Sequence, residues 1–112
     1  MIIKTEVRNT QMLNVTDKIS FMQRQILIHS YLYYHLDRTV ITDKQYDSIS
    51  YKLVELMKQY TNETLESDYA EIFKDFDGNT GFDLISRLSK EQFYRVNNIA
   101  RYLMKTGIRN GK

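Results

Sequence analysis

This sequence predicts an all-α domain of four to five helices built on an antiparallel helical hairpin. Three observations carry that expectation. Apolar residues recur at steps of three and four along its long segments, the spacing of one buried helix face. Two segments open on the same pair of start signals, a capping box and a hydrophobic staple: Thr42 with Gln45 and Ile41 with Tyr46, then Ser89 with Gln92 and Leu88 with Phe93. The chain holds no proline and only four glycines in 112 residues, so little interrupts a helix.

In chain order, residues 1–14 read as an N-terminal arm carrying Ile2, Ile3 and Val7, either mobile or a short strand, and residues 15–112 as one helical domain. A first long helix is expected from Thr16 to Leu36, with Ile19, Met22, Ile26, His29, Tyr33 and Leu36 on one stripe, widened by Phe21, Ile28 and Leu32. After a short loop from Asp37 to Ile41 the second helix starts at the Thr42 cap and buries Tyr46, Ile49, Leu53, Leu56 and Tyr60. So short a loop makes these two an antiparallel hairpin over 15–60. The C-terminal helices fill 61–112. One is expected around Leu65 to Phe73, followed by a break at Asp75–Gly81 and a turn or two over Phe82 to Leu88. The last helix starts at Ser89, carries Val96, Ile99, Ala100 and Leu103, and is expected to stop at Gly107.

Composition narrows the function classes. A hydrophobic share of 42% against 27% charged residues is a globular balance. There is no cysteine, which excludes a disulfide framework and a thiolate metal site. No stretch has signal-peptide or transmembrane character, so a cytoplasmic protein with no membrane partner is expected. The net charge of +2 is low for a duplex-DNA binder, and the late basic residues Arg95, Arg101, Lys105, Arg109 and Lys112 are scattered. Nucleic acid is therefore not the expected partner. Nine tyrosines, with apolar bodies and polar tips, suit a pocket or an interface, including a homodimer.

The chemistry concentrates in one run: His29-Ser30-Tyr31-Leu32-Tyr33-Tyr34-His35-Leu36-Asp37, then Ile41-Thr42-Asp43-Lys44-Gln45-Tyr46-Asp47. Tyr33 and Tyr34 fall on the last turn of the first helix. Asp43, Tyr46 and Asp47 fall on the first turn of the second, with the carboxylates of Asp43 and Asp47 at i and i+4 on one face. An aromatic face attracts a flat cation, and carboxylates accept ribose hydroxyl hydrogens. The same residues also have a structural reading: acids in a first turn are favoured by the helix dipole, and Tyr33 and Tyr46 lie on apolar stripes.

This run resembles the small N-terminal helical domain of NAD-dependent DNA ligases, over roughly residues 23 to 58. The resemblance implies a site for nicotinamide mononucleotide, NAD or an ADP-ribose derivative formed by Tyr33, Tyr34, Asp43, Tyr46 and Asp47. It does not extend to ligation. The adenylated lysine of a K-x-D-G motif has no equivalent, since Lys74-Asp75-Phe76-Asp77-Gly78 is one residue too long. A non-catalytic, non-enzyme module that requires no cofactor is expected.

The segment Asp75-Phe76-Asp77-Gly78-Asn79-Thr80-Gly81-Phe82-Asp83 admits three readings. A calcium loop fails at Thr80, where glycine is needed, and at Ser86, where glutamate is needed. An anion cradle would use Gly78, Thr80 and Gly81, with Arg87 a turn later, as candidate phosphate-binding residues. A tight structural turn would anchor Phe76 and Phe82 in the core. The block Asp75 to Leu84 following such a hairpin resembles short ligase-like proteins encoded by phages of Gram-positive bacteria. That resemblance implies a host-cytoplasmic setting and one of two roles: sequestering an NAD-derived host defence signal, or a counter-defence or host-takeover factor that binds a host protein through the hairpin. A DNA-associated accessory role is the third alternative. His29 and His35 are six apart, on different helix faces, and form no metal pair. His29 is expected to be a satisfied interhelical histidine and His35 an exposed one.

Overall fold

A computed structural model of the chain describes residues 14–78 and 81–111, with side chains through Thr106, and every regular element among them is helical. The expected N-terminal arm, Asn14 aside, and Thr80 lie outside the described residues.

Helix α1 (Val15–His35) starts where the Asn14 side chain accepts the Asp17 N–H at 2.8 Å. It is the central element, packed against the second helix on one side and the last on the other. A helix touched on two sides buries more than one stripe, and Ile26 to Leu32 are buried without a break. Two residues expected on its buried face are instead exposed: Phe21 looks into a groove between α1 and the second helix, and Tyr33 stands at the helix end.

Helix α2 (Asp43–Gln59) has the expected capping box, with the Thr42 hydroxyl accepting the Gln45 N–H and the Gln45 side chain accepting the Thr42 N–H. Ser30 of α1 reaches Tyr46 near the start of α2, and Gln23 reaches Met57 near its end. Contacts in opposite chain order make the hairpin antiparallel.

The expected helix over Leu65 to Phe73 does not form. Helix α3 (Thr61–Leu65) is a short turn beside α2, and residues 66–75 follow as successive turns. The reason lies in α1. Ser20 Oγ accepts the Asp68 N–H at 2.9 Å, and the fully buried Gln23 accepts the Tyr69 N–H at 3.2 Å while donating to Ser67 Oγ at 3.0 Å. Side chains thus take amide hydrogens that a helix would spend on its own carbonyls. Leu65 is exposed as a result, whereas Tyr69, Ile72 and Phe73 still enter the core.

A 3-10 turn at Ile85–Arg87 buries Leu84 and Ile85 and leads into helix α4 (Lys90–Gly111). The Ser89–Gln92 capping box is reciprocal here too. Helix α4 does not stop at Gly107 but runs through it. An interior glycine costs a helix about 1 kcal/mol, which does not end one on its own. Val96 and Ala100 are fully buried against α1, and the Tyr31 hydroxyl donates to Asn97 Oδ1 at 2.8 Å. Ile19, Ile26, Leu32, Leu53, Phe73 and Val96 sit in one apolar cluster, each contributing about 1.5–3 kcal/mol by burial.

Candidate functional site

The hairpin's tip builds a cleft. Helix α1 ends at Leu36, and Asp37 follows with φ 56, in the left-handed region that aspartate tolerates better than most residues. This bend returns the Arg38 N–H to the Leu32 carbonyl at 2.9 Å and carries the loop over to the Thr42 cap. Between the last turn of α1 and the first turn of α2 lies a cavity of about 280 Å³. Tyr33, Tyr34, Asp43, Tyr46 and Asp47 all line it. The structure therefore brings together the five residues singled out from the sequence. Tyr33 and Tyr34 are 55% and 40% exposed and meet edge to face at 4.8 Å, so neither is a core tyrosine.

The floor is more buried than the rim. Ser30 and Tyr46 share a hydrogen bond of 2.8 Å. Burial pushes the Tyr46 phenol above its usual range, opposed by the bond to Ser30, so it is a neutral hydroxyl around neutral pH. His29 also lines the cleft and is buried. Burial pushes its imidazole below the usual histidine value, and its Nδ1 has no hydrogen-bond partner among the described residues. The expected satisfied histidine is thus unsatisfied at that nitrogen. His35 is exposed and stacks on Tyr31 at 5.3 Å.

The glycine segment meets the cleft from behind. A Cβ on Gly81 would overlap Ser30 Oγ and lie 2.7 Å from Tyr46 Oη, so only glycine lets this backbone rest on the hydroxyl pair. Gly78 has φ 92 and packs beside Val54. Arg87, the expected cation of a phosphate cradle, is engaged elsewhere: it donates to Asp75 at 2.7 Å and to the Ile72 carbonyl at 2.8 Å. Its hydrogen bond holds the Asp75 carboxyl below the usual range. Both glycines thus serve packing, and Arg87 clamps the turn. Phe76 does pack on the core, but Phe82 does not: it is 56% exposed and meets the Tyr34 ring edge-on at 5.3 Å. Asp75 is paired with Arg87, and among the described residues no cluster of histidine and carboxylate side chains is arranged to hold a metal. Lys74 is exposed, pairs with Glu71 at 3.5 Å and is not among the cleft residues.

Arg38, Thr39 and Ser30 also line the cleft, and none was singled out from the sequence. Arg38 had a signal available: it is the only cation in the short loop between the two half-motifs. Ser30 and Phe82 had none, because their importance depends on contact with residues far along the chain.

A family model described as the DNA ligase-like, N-terminal NAD+-binding domain matches residues 12–74. Over 54 residues the chain is 39% identical to a DNA ligase of Anoxybacillus flavithermus, covering 48% of this chain and 8% of that protein. Over 39 residues it is 51% identical to a DNA ligase of Pelotomaculum thermopropionicum, covering 35% of this chain and 6% of that one. The chain thus matches less than a tenth of the length of either relative. No solved structure matches it. Among the described residues no helix is long and apolar enough to cross a membrane.

Proposed function

From the premise that this chain belongs to the DNA ligase-like, N-terminal NAD+-binding domain family, we propose that its hairpin cleft binds a nicotinamide-type nucleotide without turning it over. The carrying observation is the convergence of Tyr33, Tyr34, Asp43, Tyr46 and Asp47 on one cavity. Tyr33 and Tyr34 offer exposed aromatic faces and edges to a flat cationic ring, an attraction of about 0.5–2 kcal/mol. Asp43 and Asp47 offer acceptors for ribose hydroxyls and charge complementary to the ring. At about 280 Å³ the cavity is at the small end for a ligand site, roughly 300–1,000 Å³, and suits the mononucleotide half of NAD better than the whole.

In a phage-infected cell such a module would sequester an NAD-derived defence signal, a role that needs affinity and abundance but no turnover. The resemblance of the hairpin plus the Asp75–Leu84 block to phage ligase-like proteins supports this setting. A cyclised signal lacks the cationic nicotinamide, so the tyrosines would then stack on a purine.

One observation favours a protein partner as the second reading. A groove between α1 and α2, away from the cleft, is lined by the exposed Phe21 and Tyr51 together with Met22 and Leu56. Exposed aromatic residues of this kind serve as interface anchors.

Calorimetric titration with nicotinamide mononucleotide, NAD, ADP-ribose and cyclic ADP-ribose tests the leading reading. Micromolar binding is expected for at least one of them, and it is expected to vanish in a folded Tyr33→Ala, Asp47→Ala double variant. No heat from any ligand with well-folded protein overturns nucleotide binding.

A further inference from the structure

A nicotinamide mononucleotide presents three chemistries: a cationic ring, ribose hydroxyls and a phosphate dianion. The tyrosines and the two carboxylates of the cleft answer the first two. They leave the phosphate among acids, which repel it unless a cation stands nearby. With Arg87 engaged by Asp75 and Ile72, the glycine segment does not supply that cation.

Among the described residues that line the cleft, Arg38 is the one permanent cation. It is exposed, and it takes part in none of the ion pairs among the described residues. Its guanidinium makes a single hydrogen bond, to the neighbouring Asp37 carbonyl at 3.2 Å. Its backbone is held by the N–H bond to Leu32, so the side chain springs from a fixed point beside the cleft. Two sets of neutral donors are available where the loop enters α2. The Thr42 hydroxyl lines the cleft and accepts the Gln45 N–H at 3.1 Å, which leaves its own hydrogen to donate. The first amides of α2, those of Asp43 and Lys44, have no partner within the helix.

We infer that Arg38, with the Thr42 hydroxyl and the first turn of α2, forms a phosphate-monoester subsite, so that the cleft selects a nucleotide over its nucleoside. The inference rests on the nicotinamide reading of the cleft. Arg38 is then a specificity residue whose planar fork matches two phosphate oxygens.

The test is titration of the wild type, Arg38→Ala and Arg38→Lys with nicotinamide mononucleotide and with nicotinamide riboside. The wild type is expected to bind the mononucleotide about tenfold tighter than the riboside, the scale of one charge-assisted hydrogen bond. Arg38→Ala is expected to erase that preference while leaving riboside affinity within about twofold, and Arg38→Lys to keep part of it. A preference that survives in Arg38→Ala, no preference in the wild type, or a parallel loss of both affinities overturns the phosphate subsite and leaves nicotinamide binding standing. If neither ligand binds the wild type, the reading of the cleft itself fails and the subsite with it. The Arg38 guanidinium hydrogen-bonds to a neighbouring carbonyl, and unchanged thermal melts confirm that the variants are folded.

Discussion

Ser30 on α1 and Tyr46 on α2 share a hydrogen bond of 2.8 Å between their hydroxyl oxygens, and Gly81 rests directly on that pair. The bond joins the two helices at the floor of the cleft. Gly81 lies beyond the family-matched residues 12–74, so the C-terminal part of the chain braces the ligase-like part where the candidate ligand would sit.

Gly81→Ala is expected to destabilise the fold by about 1–3 kcal/mol, because the added Cβ must displace Ser30 or the loop. Urea unfolding measures this. Ser30→Ala added to Gly81→Ala is expected to recover part of the loss, giving a coupling of at least about 0.5 kcal/mol. Strict additivity of the two changes would mean that the contact is not made in solution.

Gln23→Leu is expected to cost about 3 kcal/mol. The side chain is fully buried, and its removal leaves the Tyr69 N–H and the Ser67 hydroxyl each short of a partner. The loss is expected to appear first as faster amide exchange over 66–75, the turns that Gln23 holds. Uniform exchange along the chain would argue against that local role.

His29 gives stability a pH dependence of predictable sign. Its folded-state value lies below the 6.5 of the unfolded chain because burial disfavours the imidazolium. The unfolded state therefore binds the proton first. The contribution is fully present above pH 6.5 and is lost as pH falls through the lowered folded value. Melts from pH 7.5 downward should show a decline in the wild type that His29→Gln lacks. Equal slopes for both proteins would contradict the assignment.

Asp37 holds a left-handed conformation at the hairpin tip. Asp37→Val is expected to destabilise by about 1–2 kcal/mol, the penalty for a β-branched residue there, whereas Asp37→Gly is expected to be tolerated. Paired thermal melts separate the two, and an Asp37→Val variant as stable as wild type would place the bend elsewhere.

Local signals were legible where local chemistry decides. The Thr42 and Ser89 caps act within one helical turn, so both boxes could be read off residue types at fixed spacing and both are formed. The five tyrosine and aspartate residues of the cleft were legible through the resemblance to the ligase hairpin, and the short loop between two long helices brings their turns together. The expected helix over Leu65–Phe73 was misread because the amide hydrogens of Asp68 and Tyr69 go to Ser20 and Gln23, more than forty residues earlier in the chain. No pattern within the segment reports on that.

By itself the sequence determined an all-helical chain, the starts of its two capped helices and which residues meet at the hairpin tip, because caps, stripes and a short loop act over a few residues. The tertiary structure alone decided that α1 is buried on two sides, that Arg87 pairs with Asp75, and that Gly81 and Phe82 lean on the hairpin at Ser30 and Tyr34. Each of those depends on contact between residues distant in the chain, where packing and hydrogen-bond competition outweigh local preference.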